Sequence, residues 1–349
     1  MFSNKAWLYY AGSLGLLAAA ITLGLFYSSV TVPVPHILHI ILDKTIGAQL
    51  LDDVPSNQYS IIWEIRLPRV LLALCVGASL ALAGAAFQGL LRNPLADPYT
   101  IGVSSGAALG AVFVIFFQLT IVGLGAFTLP AVSIVSGFLT LMLVFGLVKL
   151  SSRSLAIETI ILAGIIVSAF IGSIISLIIS LGSQDEMTQI IYWLYGSVGM
   201  RGWSYVQLIV PFLIIGSIML VTRYRDLNAL ALGEEAAGHI GVNVGRGKVF
   251  ILGGASLLTG AAVAVSGTIG FVGLVIPHLV RLVTGPDHRH VLPISMIIGG
   301  AFLIFADITA RTIIAPKELP IGVITALIGA PMFAFLLIRN RIGKGKKLA

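Results

Sequence analysis

Residues 98–148 run for 51 positions without an Asp, Glu, Lys or Arg. An ionised side chain at mid-bilayer costs about 2.5–3.5 kcal/mol on insertion scales, so a stretch this long that avoids charge reads as membrane-embedded. One span takes about 20 apolar residues. Gly123, Gly125 and Pro130 divide this run into two spans, and residues 7–32, 70–91, 159–184, 202–222 and 319–338 each supply one more. Residues 249–280 are 32 uncharged positions, too long for one pass and too short for two. Gly267, Gly270, Gly273 and Pro277 there predict a full helix followed by a short broken one. His290–Thr312 adds a further pass. The expected fold class is all-α: a polytopic membrane protein with about ten transmembrane helices, some short or broken. Segments 33–65 and 182–203 read as surface helices or loops, and 223–247 as the longest polar loop.

Composition excludes the competing classes. Hydrophobic residues make up 58% of the chain and charged residues 10%, where a soluble domain is about one quarter charged. The net charge of +7 is not gathered into a basic stripe with interleaved aromatics, so no nucleic-acid partner is expected. Cys75 stands alone, which rules out an internal disulfide and a cysteine metal cage. The first apolar run, Trp7–Val32, is too long for a secretory signal and reads as a retained span.

An even number of passes places both termini on one side. With that side inside, 15 of the 21 Lys and Arg fall inward, among them Lys5, Arg92, Lys149, Arg153, Arg246, Lys346 and Lys347. Lys44, Arg66, Arg69, Arg201, Arg311 and Lys317 fall outward. Positive-inside bias therefore predicts cytoplasmic termini. Gly77-Ala-Ser-Leu-Ala-Leu-Ala-Gly-Ala-Ala86 also echoes Gly254-Ala-Ser-Leu-Leu-Thr-Gly-Ala-Ala262, five spans later. Copies an odd number of spans apart run in opposite directions, as in inverted-repeat transporters. Small residues dominate any packed membrane helix, which is the plainer explanation.

The polar loop Arg225–Gly245 carries Leu230, Leu232 and Ile240 among punctuating glycines, as a short helix shown to a partner would. With Ile65-Arg-Leu-Pro-Arg69, Arg92-Asn-Pro-Leu-Ala-Asp-Pro98, Gly270-Phe-Val-Gly-Leu-Val-Ile-Pro-His278, Gly285-Pro-Asp-His-Arg289, Ala306-Asp-Ile-Thr-Ala-Arg311, Glu318-Leu-Pro-Ile-Gly322 and Gly329-Ala-Pro331, the chain resembles the iron-chelate and vitamin B12 type of ABC importer permease along nearly its whole length. That resemblance implies a single permease domain over 1–349, with repeat halves near 66–181 and 248–338 and a coupling loop at 223–247. It implies ATPase-coupling roles for Leu230, Leu232, Gly233, Glu234, Glu235, Ala236, Ala237 and Gly241. The expected partners are cytoplasmic ABC ATPase subunits, an extracytoplasmic solute-binding protein, and a second permease copy or paralogue in a bacterial plasma membrane. The chain itself is expected to bind no cofactor and to catalyse no bond chemistry, ATP and Mg being used by the partner ATPase. Gly241–Lys248 is one residue too long for a phosphate loop, and Val249 replaces its Ser or Thr. Ferric siderophore is the first expected cargo, then haem or cobalamin.

Arg66, Arg69 and Arg311 lie outward at span ends, where planar guanidinium forks suit the carboxylates of a binding protein; the resemblance implies that docking role. Anchoring at headgroups is the simpler alternative. Ala169, Ser173, Ser176 and Ser180, spaced four, three and four apart, share one helix face. Such faces usually pack helices, while the resemblance places this one on the translocation path. Asp307, four residues before Arg311, raises an ion-coupled secondary carrier as a rival, against a structural pair with Arg311. Gly102-Val-Ser-Ser-Gly106 matches a nucleophile elbow and raises an intramembrane serine hydrolase, although no strand precedes it. His36 with His39, and His288 with His290, lack cysteine or carboxylate partners in ligand spacing apart from Asp287 and are expected to be surface or interfacial, with no metal site.

Overall fold

The computed structural model describes residues 6–28, 30–48, 50–51, 54–151 and 156–345. Lys5, Arg153, Lys346 and Lys347, counted above among inward charges, lie outside the described residues. Among the described residues there is no strand. This follows from the solvent: in lipid a backbone must satisfy its own hydrogen bonds, and a helix does so within one segment.

The helices in chain order are α1 (Ala6–Phe26), α2 (Val34–Ile46), α3 (Ser56–Leu90), α4 (Val103–Phe116), α5 (Thr128–Ser151), α6 (Ile157–Leu181) and α7 (Gln184–Leu194). They continue with α8 (Gly202–Val221), α9 (Tyr224–Ala231), α10 (Glu234–His239), α11 (Val244–Ser266), α12 (Val272–Thr284), α13 (His288–Thr312) and α14 (Ile321–Gly345). Seven of them, α1, α3, α5, α6, α8, α11 and α13, are long and apolar enough to cross a membrane. Three shorter apolar helices accompany them: α4, α12 and Ile321–Phe335 of α14.

Helix α3 is the axis of the bundle, buried along almost its whole apolar length and enclosed by α1, α8, α11, α12 and α13. Glycines bring its neighbours into backbone contact. A Cβ on Gly77 would overlap the Gly299 carbonyl of α13, and one on Gly84 would overlap Gly273 of α12. Without a hydrophobic force between helices in lipid, this closeness lets dispersion hold them together. Residues 56–65, within the segment expected as surface helices or loops, instead extend α3, with a π-type stretch at Ser60–Arg66. Glu64 and Ile65 are exposed there, so these extra turns add length rather than burying charge.

The break predicted after residue 266 is real. Residues 267–271 are irregular, and Phe271 adopts φ 70° before α12 begins. Buried non-helical backbone needs partners, and it has them. Tyr99 donates its hydroxyl to the Ile269 carbonyl at 2.9 Å and accepts the Ile269 N–H at 3.0 Å. Ser197 N–H donates to the Ser266 carbonyl at 2.7 Å, and Thr268 donates to the Leu194 carbonyl.

Candidate functional site

Two ends of the bundle carry organised polar groups. At one end, Arg69 on α3 meets Asp307 on α13 with Nη2 2.9 Å from Oδ1, and its Nη1 reaches Glu318 at 2.9 Å. Arg311 lies 3.6 Å from the same Asp307 carboxylate. Arg66 donates to the carbonyls of Leu25 and Val30, both at 2.7 Å, and Arg311 donates to that of Gly24 at 2.7 Å. The last carbonyls of a helix have no intrahelical donor, so guanidinium groups here close the end of α1.

Arg66, Arg69 and Arg311 are 3%, 9% and 4% exposed. Their expected role was to show a free fork to a partner, and in this conformation the forks are taken up by this chain's own carbonyls and carboxylates. Asp307 pairs closely with Arg69 and more loosely with Arg311, the partner expected from sequence, because Arg311 turns toward α1. A carboxylate shared by two guanidiniums is a structural counter-ion, which removes the observation that raised an ion-coupled carrier. Ser104 sits in the first turn of α4, after Gly102 at φ 88°, with no strand before it. The elbow geometry is therefore absent.

At the opposite end, α9 and α10 form a helical hairpin hinged at Gly233, whose φ of 119° excludes a side chain from the turn. Leu230 is 2% exposed and Ala237 is fully buried, whereas Leu232 is 73% exposed. Ile240, Glu235 and Gly241 are exposed as well. The coupling set named from sequence thus divides by orientation: Leu230 and Ala237, with Leu227, anchor the hairpin, and Leu232 and Ile240 face outward. Glu234 is held by Lys248 at 2.6 Å, while Ala236 is partly buried between the two groups.

Asn228, which ties this hairpin to the bundle, was not singled out in the sequence, and Asp287 and His288 entered there only through a family motif and a histidine pair. The Asn228 side chain on α9 donates to Asp287 Oδ1 at 2.7 Å. Its own oxygen accepts the His288 N–H at 2.9 Å and stands 2.8 Å from His288 Nδ1. Asp287 caps α13 by accepting the Arg289 N–H at 2.9 Å. Burial raises the Asp287 pKa, but the Arg289 N–H, the Asn228 amide and the nearby histidines outweigh it and hold the carboxyl below the usual range. His288, expected at a surface, is buried instead, with its ring against Gly89 of α3. The available signal was Gly285-Pro-Asp-His, a cap sequence opening a helix. Among the described residues no group of three or more His, Cys, Asp or Glu is placed to hold a metal ion.

Ala169, Ser173, Ser176 and Ser180 do share one face of α6, and it is exposed. Ser173, Ser176 and Ser180 donate to the carbonyls four residues back at 3.0, 2.9 and 2.8 Å.

Known proteins resemble this chain along its length. The profile of the FecCD transport family matches residues 16–339. The ABC transporter permease protein YvrB of Bacillus subtilis is 49% identical, over 97% of this chain and 96% of its own. The cobalamin import system permease protein BtuC of Halobacterium salinarum is 42% identical, over 83% of this chain and 77% of its own. A solved inward-facing metal-chelate type ABC transporter superposes with a TM-score of 0.83 at 33% identity, covering 95% of this chain and 99% of that one. The all-helical bundle with membrane-length helices is thus the fold of that solved transporter, and the chain belongs to the FecCD transport family.

Proposed function

We propose that this chain is the membrane-spanning permease of a binding-protein-dependent ABC importer that brings a ferric siderophore, or haem or cobalamin, into the cytoplasm. ATP and Mg are consumed by a separate ATPase subunit. The observation that carries the reading is the α9–α10 hairpin. Its inner leucines are buried and its outer Leu232 and Ile240 are bare, an arrangement that costs solvation unless another protein covers it. Relatives named as permeases for cobalamin support the chelate class of cargo.

In this reading the seven long and three short apolar helices make ten passes, with both termini and the hairpin cytoplasmic in a bacterial plasma membrane. Two permeases, identical or paralogous, enclose the path, and the exposed small face of α6 (Ala169, Ser173, Ser176, Ser180) looks onto it. The whole chain is one domain, and the matching glycine-rich segments of α3 and α11 mark inverted halves. The solute-binding protein docks at the end where Glu318 and Arg69 lie. Arg66 and Arg311 brace that end from within, and Arg69 reaches a partner only by exchanging Glu318 for the partner's carboxylate.

The test is uptake of a radiolabelled ferric siderophore by proteoliposomes carrying the permease, its ATPase and its binding protein. Uptake that requires internal ATP and the binding protein supports the reading. Uptake that persists on an ion gradient without ATP refutes it.

A further inference from the structure

Between α4, α5, α8 and α11 a groove of about 470 Å³ opens sideways from the bundle. Phe138, Met142 and Phe145 of α5 and Met219 of α8 wall it, and Val249 and Gly253 of α11 line its far side. Phe138, Met142 and Val249 are exposed, so the groove is open to whatever surrounds the bundle. Gly253 makes the room: a Cβ there would meet only the end of Met219, at 3.9 Å. In a membrane protein the neighbour of such a groove is an acyl chain.

The groove has a polar mouth at the α9–α10 end. Lys149 follows Phe145 by four residues on α5, and Arg246 precedes Val249 by three on α11, so each cation continues its helix's groove-lining face. Both are exposed. A second hollow of about 420 Å³, lined by Asn243, Gly245, Arg246, Val249 and Phe250, shares Val249 with the groove and carries it toward the headgroup level. Arg223 lies over the Phe250 ring, 4.9 Å from its centroid. The acids nearby are engaged, Asp226 by Arg223 at 3.0 Å and Glu234 by Lys248 at 2.6 Å. No acid occupies the first turn of α11, whose N-terminal dipole adds positive potential although Asn243 caps the Arg246 N–H at 3.0 Å.

We propose that this groove and its mouth form a binding site for an anionic phospholipid of the leaflet on the α9–α10 side. One acyl chain fills the groove, and the phosphate lies between Lys149 and Arg246. Basic pockets between membrane helices select anionic headgroups. A zwitterionic lipid fills the same groove but offers no net charge to the two cations, so headgroup selectivity is the property to measure.

The experiment is native mass spectrometry of the full-length permease released from nanodiscs of equal phosphatidylglycerol and phosphatidylcholine. The wild type should retain phosphatidylglycerol over phosphatidylcholine by about thirtyfold, as two juxtamembrane cations predict. The double variant Lys149→Gln with Arg246→Gln, both on exposed positions, should retain the two lipids equally. Gly253→Leu should lower retention of both. No preference in the wild type means annular lipid only and overturns the proposal, as does a preference that survives the double glutamine variant. Loss of the preference on adding millimolar inorganic phosphate means that the mouth binds free phosphate, which also overturns it. If Gly253→Leu does not fold, the glutamine pair alone decides.

Discussion

Arg69 and Asp307, 238 residues apart in sequence, are joined at the end of the bundle by Nε at 2.9 Å from Oδ1 and 3.1 Å from Oδ2. The contact fastens the axis α3 to α13, its most extensive neighbour. Removing one member leaves the other charged and buried, which costs about 3–5 kcal/mol, whereas replacing both with apolar residues of similar size is close to neutral. Asp307→Ala should therefore lower the melting temperature in detergent sharply. Adding Arg69→Met to Asp307→Leu should recover only part of the loss, because Arg311 stays buried without its carboxylate. Equal melting temperatures for Asp307→Ala and the wild type would refute a structural role for the pair.

The split within the hairpin predicts two distinguishable defects. Leu232→Glu changes an exposed side chain, so the permease should fold normally while its ATPase dissociates about thirtyfold more readily, a loss of roughly 2 kcal/mol. Leu230→Ala empties a buried site and should cost about 2–5 kcal/mol of stability. Thermal unfolding paired with ATPase co-purification separates them. A Leu232→Glu permease that holds its ATPase undiminished argues against the outward face as the contact.

Asn228→Ala removes every side-chain link from α9 to Asp287 and His288 and leaves buried groups unpaired, at about 1–3 kcal/mol. Hydrogen exchange in α9 and at the start of α13 should rise, while exchange near Arg69 stays unchanged. In the assembled importer, ATP hydrolysis should persist with uptake reduced. Uptake unchanged per ATP hydrolysed would show that the clamp has no part in transmitting motion.

Asp97 supplies a pH test. It lies partly buried in the connector between α3 and α4, where burial lifts its pKa to about 6 against the opposing Tyr99 N–H bond. Its folded pKa exceeds its unfolded value, so the folded chain holds the proton more tightly and stability falls as pH rises from about 4 through 6. Asp97→Asn keeps an acceptor for Tyr99 and removes this term. The variant should gain melting temperature over the wild type at pH 7.5 and lose that gain at pH 4.5. A gain of the same size at both values would exclude the proton as its cause.

Charge-free run lengths made the long apolar helices legible, because lipid penalises charge and a helix satisfies its own backbone. The break near Gly267 was readable for the same reason, since four helix breakers cluster in one apolar run. What escaped the sequence were the partners of buried polar groups. Arg66, Arg69 and Arg311 gather at one end of the bundle, and their burial depends on α1 ending beside α13, a packing fact with no local signal. Asn228 carries no mark that distinguishes it from any loop asparagine until the start of α13 is brought beside it. Leu230 on α9 and Leu232 at its C-cap take opposite roles because roughly 200° of helical rotation separates two residues two positions apart.

The serines of α6 commit their hydroxyl hydrogens to their own helix. In the proposed importer, where this strip faces the path, a molecule sliding along it would find no donor waiting and leave no bond behind when it moved on. Such a wall behaves as a bearing surface, smooth to many shapes and loyal to none. A lineage could then exchange one cargo for another by changing the protein that delivers it, with this helix left as it stands.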